Sequence, residues 1–214
     1  VAPDKLAVVY VGAEAALFKH IPRLPRPAGD TLEVLFYGSF IPLQGPQVVI
    51  DAARLYKGPP VRWTLLGNGP LRAVCEKQAH GLTNVAFEEW LPYEALPDRI
   101  QQADILLGIF GVTPKADRVI PNKVYQSLAC GRVVVTRLSS AYPEKLVEAE
   151  NNGMVWTRAG DGQSLADRIA ALAAAADSLV RLGEAAAQTS HQFFSESALR
   201  QQLHQALKGL VACD

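Results

Sequence analysis

Six short apolar runs, each followed by a stretch of helical length, succeed one another along most of the chain. This alternation constrains the fold more than any other feature of the sequence. The pairs are 32–36 with 46–56, 61–66 with 70–80, 85–87 with 93–102, 105–110 with 122–130, and 133–136 with 143–149; the run 154–156 closes the series. Successive strands joined through helices need crossover connections, and right-handed crossovers stack them as a parallel sheet covered on both faces. The segments VLF, TLL, ILL and VVV are apolar but for the one threonine, as strands buried on both faces should be. The expected fold is α/β, a Rossmann-like three-layer sandwich around a six-stranded parallel sheet.

Two flanking segments do not follow this rhythm. At the start, LAVVYV (6–11) is a short β-rich run ending at Gly12, and Pro22, Pro25 and Pro27 favour an extended tether, so residues 1–30 read as an arm leading into the domain. At the other end, 164–210 is almost wholly helix-forming. Leu165, Ile169, Leu172 and Leu179 are spaced for one buried stripe, and a break at 190–197 predicts two helices. The expected organisation is an arm at 1–30, an α/β core at 31–163, and C-terminal helices at 164–214 packing on the same domain.

The charge balance excludes some partners. Twenty-one basic and 21 acidic residues cancel, so the overall field gives nucleic acid or an anionic membrane no reason to accumulate, and any anion site must be local. Cys75, Cys130 and Cys213 show no metal or redox spacing, and an odd count fits reduced thiols in a cytoplasmic protein. No stretch approaches the ~20 apolar residues that span a bilayer. The start, Val1-Ala2-Pro3-Asp4-Lys5, has no signal-peptide design and reads as the interior of a longer chain. His20, His80, His191 and His204 are scattered with no Glu or Cys at ligand spacing, which predicts no metal. Glu88 and Glu89 are adjacent on a strand and point to opposite faces, so they cannot act together on one sugar.

In an open parallel sheet, ligands bind beyond the carboxyl ends of the strands, where loops run into helix starts bearing free N–H groups. Three such loops stand out. The first is Gly38-Ser39-Phe40-Ile41-Pro42-Leu43-Gln44-Gly45, whose end glycines allow close backbone approach and whose second glycine opens a helix at Pro46; an ordinary strand-to-helix turn is the alternative reading. The second, Gly67-Asn68-Gly69-Pro70, can turn N–H groups toward a flat ligand such as a base. The third runs from Gly108-Ile109-Phe110-Gly111 through a charged loop (112–118) to Ile120-Pro121-Asn122-Lys123. There Pro121 and Asn122 start a helix that Gly131 ends. A lysine in the first helical turn opposes the macrodipole, which a bound diphosphate would explain; a solvated face shared with Lys115 and Arg118 would explain it as well.

The order of these loops resembles the C-terminal domain of group 1, nucleotide-sugar-dependent retaining glycosyltransferases of the GT-B fold, over essentially the whole chain. The matching phrases are Val11-Gly12-Ala13-Glu14 with Leu17-Phe18, Gly38 to Gly45 in frame with Gly-Arg-x-x-x-x-Lys-Gly, and Leu65 to Pro70 with Leu-x-Gly-x-Gly-Pro. Ala103-Asp104-Ile105 and Gln126-Ser127-Leu128-Ala129-Cys130-Gly131 complete the series. The departures are specific. The family's phosphate-binding Arg and Lys fall on Ser39 and Gln44, and its paired glutamates fall on Gly108 and Gln126.

The resemblance implies the donor-binding half of an enzyme that moves a sugar from a UDP- or GDP-type nucleotide-sugar to an acceptor, with no cofactor and no metal. Acceptor-side catalytic groups would lie in an N-terminal domain of the same full-length chain, as would any peripheral membrane association, and this half alone would be inactive. Under this reading the diphosphate lies at the Asn122 helix start, between Lys123 and the Gly38-Ser39 loop, with Lys115 and Arg118 supplying further charge. The base rests near Gly69, Pro70, Trp90 and Leu91, the sugar faces Phe110 and Gly111, and Gln126 hydrogen-bonds the ribose. The alternatives are one half of a nucleotide-sugar epimerase, and a non-catalytic nucleotide-, sugar- or protein-binding domain whose site has decayed.

Overall fold

The computed structural model describes residues 6–27 and 29–211, so Val1 to Lys5 and Cys213 lie outside the described residues. Six strands form one sheet: β1 (Leu32–Tyr37), β2 (Val61–Leu66), β3 (Val85–Glu88), β4 (Ile105–Leu107), β5 (Val133–Arg137) and β6 (Met154–Thr157). All neighbours pair in parallel, in the order β3-β2-β1-β4-β5-β6. The order reverses direction between β1 and β4, which opens a crevice above their carboxyl ends. Both loops singled out around Gly38 and Gly108 rise from that point.

Helices α1 (Pro46–Leu55), α2 (Arg72–Gln78), α3 (Leu96–Gln102), α4 (Asn122–Ala129), α5 (Glu144–Glu148), α6 (Gly162–Ala174), α7 (Ser178–Phe194) and α8 (Glu196–Val211) complete the chain. The alternation of side chains along each strand divides the core into two layers. Val34, Phe36, Trp63, Leu65, Leu107 and Val135 face one side, against α1, α2 and α6. Leu35, Tyr37, Leu66, Leu106 and Val134 face the other, against α3, α4, α7 and the arm. Each fully buried Leu, Ile or Phe contributes about 1.5–3 kcal/mol relative to exposure, so the two faces together hold the sheet. Cys75 and Cys130 are buried free thiols, each pushed up to about 11, mainly by burial.

Three expectations are corrected. The β-rich run 6–11 forms no strand: its residues reach no sheet edge, and the Tyr10 N–H is taken by Gln202 Oε1 at 3.1 Å while its ring packs on Phe194. Intrinsic β-propensity has no effect without a ladder to join. The run 105–110 is strand only to Leu107, because Gly108 to Gly111 bend over the sheet end to meet the loop after β1. The C-terminal segment is three helices rather than two. The additional break follows Ala174, in an Ala-rich stretch with no Gly or Pro to mark it. The four residues of the expected stripe are nevertheless all buried.

The arm does not hang free. Arg23 and Arg26 both pair with the buried carboxylate of Asp104 just before β4, Arg26 at 2.8 Å. Farther along, Lys19 O accepts from Gln101 at 2.8 Å, and Phe18 is buried in the second core layer.

Candidate functional site

Glycines determine how the loops above the sheet meet. Gly38 (φ +145°), Gly45 (φ +67°), Gly67 (φ +124°) and Gly69 (φ +150°) all hold backbone conformations that side chains disfavour. A Cβ on Gly67 would lie 2.2 Å from the Gly38 carbonyl oxygen, and one on Gly69 would lie 2.8 Å from Phe40 N. A Cβ on Gly111 would lie 2.2 Å from Pro42 O. The first loop is therefore clasped on both sides by its neighbours, backbone against backbone. Hydrogen bonds fix the arrangement: Gly38 N–H to Leu66 O, Phe40 N–H to Asn68 O, and Phe110 N–H to Gln44 O, at 3.0, 2.9 and 3.1 Å.

Helix α4 opens beside this clasp. Pro121 is its N-cap and carries no N–H, no side chain caps the first turn, and Asn122 is exposed. At the other end Gly131 (φ +67°) closes the helix: its N–H reaches Leu128 O, and Arg132 N–H reaches Ser127 O. The helix thus begins at the sheet's switch point with unclaimed amides and the positive end of its dipole.

Lys123, in that first turn, is buried, being 5% exposed. Its Nζ donates to Gly108 O at 3.2 Å and lies 3.8 Å from the centroid of the Phe36 ring. Among the described residues it forms no ion pair, and burial holds its pKa well below the ordinary 10.5. It is therefore not part of a solvated face. A Cβ on Gly38 would stand 3.2 Å from Lys123 Nζ and 3.2 Å from Gln44 Oε1, closer than ordinary van der Waals contact, so a side chain at 38 would press on both. Gln44 Oε1 is itself buried without a hydrogen-bond partner.

The other expected site residues separate into groups. Gly38, Ser39, Phe110, Gly111, Asn122 and Lys123 come together around the switch point. Gly69, Pro70, Trp90 and Leu91 lie on the neighbouring loops after β2 and β3, with Pro70 and Trp90 exposed. Those loops are joined by Gly67 N–H to Glu88 O at 3.0 Å. Lys115 is exposed, and Arg118 borders a separate groove with Val8, Tyr10, Tyr125 and Ser140, so neither is seated beside Lys123. Gln126 is buried and its amide meets the Tyr37 hydroxyl at 3.0 Å. Gly108 explains one departure physically: a Cβ there would lie 2.3 Å from Thr136 Oγ1, so no acidic side chain fits at this position.

Four residues escaped the sequence reading. Tyr37, at the end of β1, places its hydroxyl 3.1 Å from Lys123 O as well as against Gln126, tying the first turn of α4 to the sheet. Arg72 stacks on Phe40 and Phe87 and donates to Gly67 O and Glu88 O, bracing the second loop. Arg137 donates to Gly111 O at 3.0 Å and pairs with Asp117 at 2.8 Å, fastening the charged loop. Thr136 exchanges hydrogen bonds with both polar backbone atoms of Ile109. Only Arg137, a charge ending an apolar strand, left a trace in the sequence.

Residues 31–175 match the family described as glycosyl transferases group 1. A protein of Escherichia coli strain K12, described as a colanic acid biosynthesis glycosyl transferase, WcaI, is 33% identical over 114 residues, covering 52% of this chain and 27% of that protein. Among solved structures, Anabaena HepE in complex with UDP superposes with a TM-score of 0.72 at 18% identity, over 94% of this chain and 56% of HepE. The C-terminal domain of the group 1 family protein LpcC from Francisella tularensis gives 0.66 at 15% identity, over 85% of this chain and 97% of that one. The chain thus spans little more than half of HepE and about a quarter of WcaI. The six-stranded Rossmann-like sandwich is the fold that these structures share, and it corresponds to one half of a GT-B architecture. Among the described residues no helix is long and apolar enough to cross a membrane.

Proposed function

Since the chain belongs to the glycosyl transferases group 1 family, we propose that it is the half of a sugar-transferring enzyme that holds the nucleotide-sugar donor. One observation carries the reading: a buried lysine Nζ without a carboxylate partner, held beside Gly38 in the uncapped first turn of α4. A diphosphate at that helix start would meet backbone N–H groups, the positive end of the dipole and, after a side-chain rotation, Lys123. The base is assigned to Gly69, Pro70, Trp90 and Leu91, and the sugar to Phe110 and Gly111. Binding of UDP by HepE supports a nucleoside-diphosphate ligand.

The chemistry asked of this half is stabilisation of the departing diphosphate as the glycosidic bond breaks. The fixed amide dipoles of the helix start, joined by the lysine charge, would do this. No metal is invoked. Groups acting on the acceptor are assigned to the other half of the full-length protein, across a cleft whose closure would exclude water.

The full-length protein is expected to release UDP or GDP from a nucleotide-sugar only when an acceptor is supplied, followed by coupled nucleotide assay over a panel of donors. Conversion of the donor to an isomer with no acceptor present would instead indicate an epimerase. Failure to bind any UDP- or GDP-sugar by calorimetry would reject the donor site.

A further inference from the structure

The surroundings of Lys123 are unusual for a residue asked to hold an anion. From β1, Phe36 presents its ring face at 3.8 Å and Tyr37 its ring at 5.8 Å. From the loop after β1 come Gly38 and the neutral amide of Gln44. From the end of β4 comes one carbonyl oxygen, that of Gly108. From α4 itself come Gln126, a neutral amide, and the positive end of the helix dipole, which opposes a further positive charge. The single titratable group in this set besides the lysine is Tyr37, whose hydroxyl burial keeps protonated and uncharged. A cation here has lost its water and has gained one ring face and one carbonyl, with no counter-charge.

We propose that Lys123 is a neutral amine in the ligand-free protein and takes up one proton from solvent when the donor diphosphate binds. The ammonium so formed then becomes the counter-ion of the phosphates. The inference rests on the donor-site reading and adds proton linkage to it. The Nζ lone pair accepts the proton, no covalent bond to the donor forms, and the net result is a bound diphosphate with one charge neutralised. Burial alone holds the lysine pKa down, which agrees with this assignment. Because a nucleotide-sugar carries a doubly esterified diphosphate, the ligand brings no titrating phosphate near neutrality, and any proton uptake belongs to the protein.

Two measurements on the full-length protein test this. Calorimetry with UDP-glucose and GDP-mannose over a series of pH values, in buffers of different ionisation enthalpy, should show proton uptake on donor binding that approaches about one proton per donor once the pH exceeds the ligand-free pKa of the lysine. Above the ligand-free pKa of the lysine, affinity should fall about tenfold per pH unit. Lys123→Met should abolish the uptake. In protein carrying 13Cε-labelled lysine, one resonance should titrate well below the others in the absence of ligand, vanish in Lys123→Met, and move to its charged position when donor is added. Tight binding with no proton uptake at any pH, or lysine resonances that all titrate together in the ordinary lysine range, would overturn the proton linkage while leaving the donor site standing. Absence of binding would overturn both.

Discussion

Lys123→Met is expected to weaken binding of nucleotide-sugars about 10- to 100-fold, the worth of one charge-assisted hydrogen bond, while leaving the protein at least as stable as the wild type. The two effects have one cause. The methionine stem fills much of the volume of the lysine stem and can lie against Phe36, but it removes an amine that is buried without a carboxylate. The sign of the pH dependence follows. The folded-state pKa of Lys123 lies below the ordinary 10.5, so between those two values the unfolded chain binds the extra proton and stability rises with pH. The cost of burying the lysine is therefore complete below its folded-state pKa and is relieved as pH approaches the unfolded value. The stability gained by Lys123→Met should be largest at the acid end and shrink toward alkaline pH. Thermal melts across that range, set beside donor titrations, check both halves. A variant that melts earlier at every pH and binds donor normally would show that the lysine is structural.

Gly67→Ala is expected to cost about 3–5 kcal/mol, lowering the melting temperature by roughly 6–20 °C in a chain of this size. Two penalties combine at this position. The backbone is at φ +124°, which a side chain disfavours, and the added methyl would lie 2.2 Å from the carbonyl oxygen of Gly38, a backbone atom that cannot swing aside. Relief requires the turn after β1 to separate from the turn after β2, so the site should open as the fold weakens. Gly81→Ala supplies the comparison: its φ is +83°, but nothing lies within 4 Å of the added atom. It should cost only about 1–2 kcal/mol, the conformational part alone. Equal melting temperatures for the two variants would mean that the loops are not clasped as described.

The sheet was legible because each strand is centred on a short apolar run and each crossover has helical length, so periodicity and connection rules agree. The glycine loops were legible for a related reason: Gly38, Gly45, Gly67 and Gly69 interrupt the pattern where the strands end. Direction was not legible. A lysine at the start of a helix can face water or the sheet, and nothing local distinguishes the two. The choice follows from Phe36 and Gly108 lying beneath α4, contacts made by residues 87 and 15 positions away in sequence. The same limit hid Tyr37 and Arg72, which act by joining loops that are distant along the chain. It also made Arg118 look like a partner of Lys123, although its side chain borders the groove under the arm. Gly108 could be recognised only as a missing acid until Thr136 was seen to occupy the space that an acid would need.

A crystal structure of the full-length protein with a UDP- or GDP-sugar bears most directly on where the donor sits. The diphosphate is expected over Gly38 at the first turn of α4, with Lys123 Nζ drawn off the Gly108 carbonyl to about 2.8 Å from a phosphate oxygen. A diphosphate bound elsewhere, with Lys123 still resting on Phe36, would contradict it.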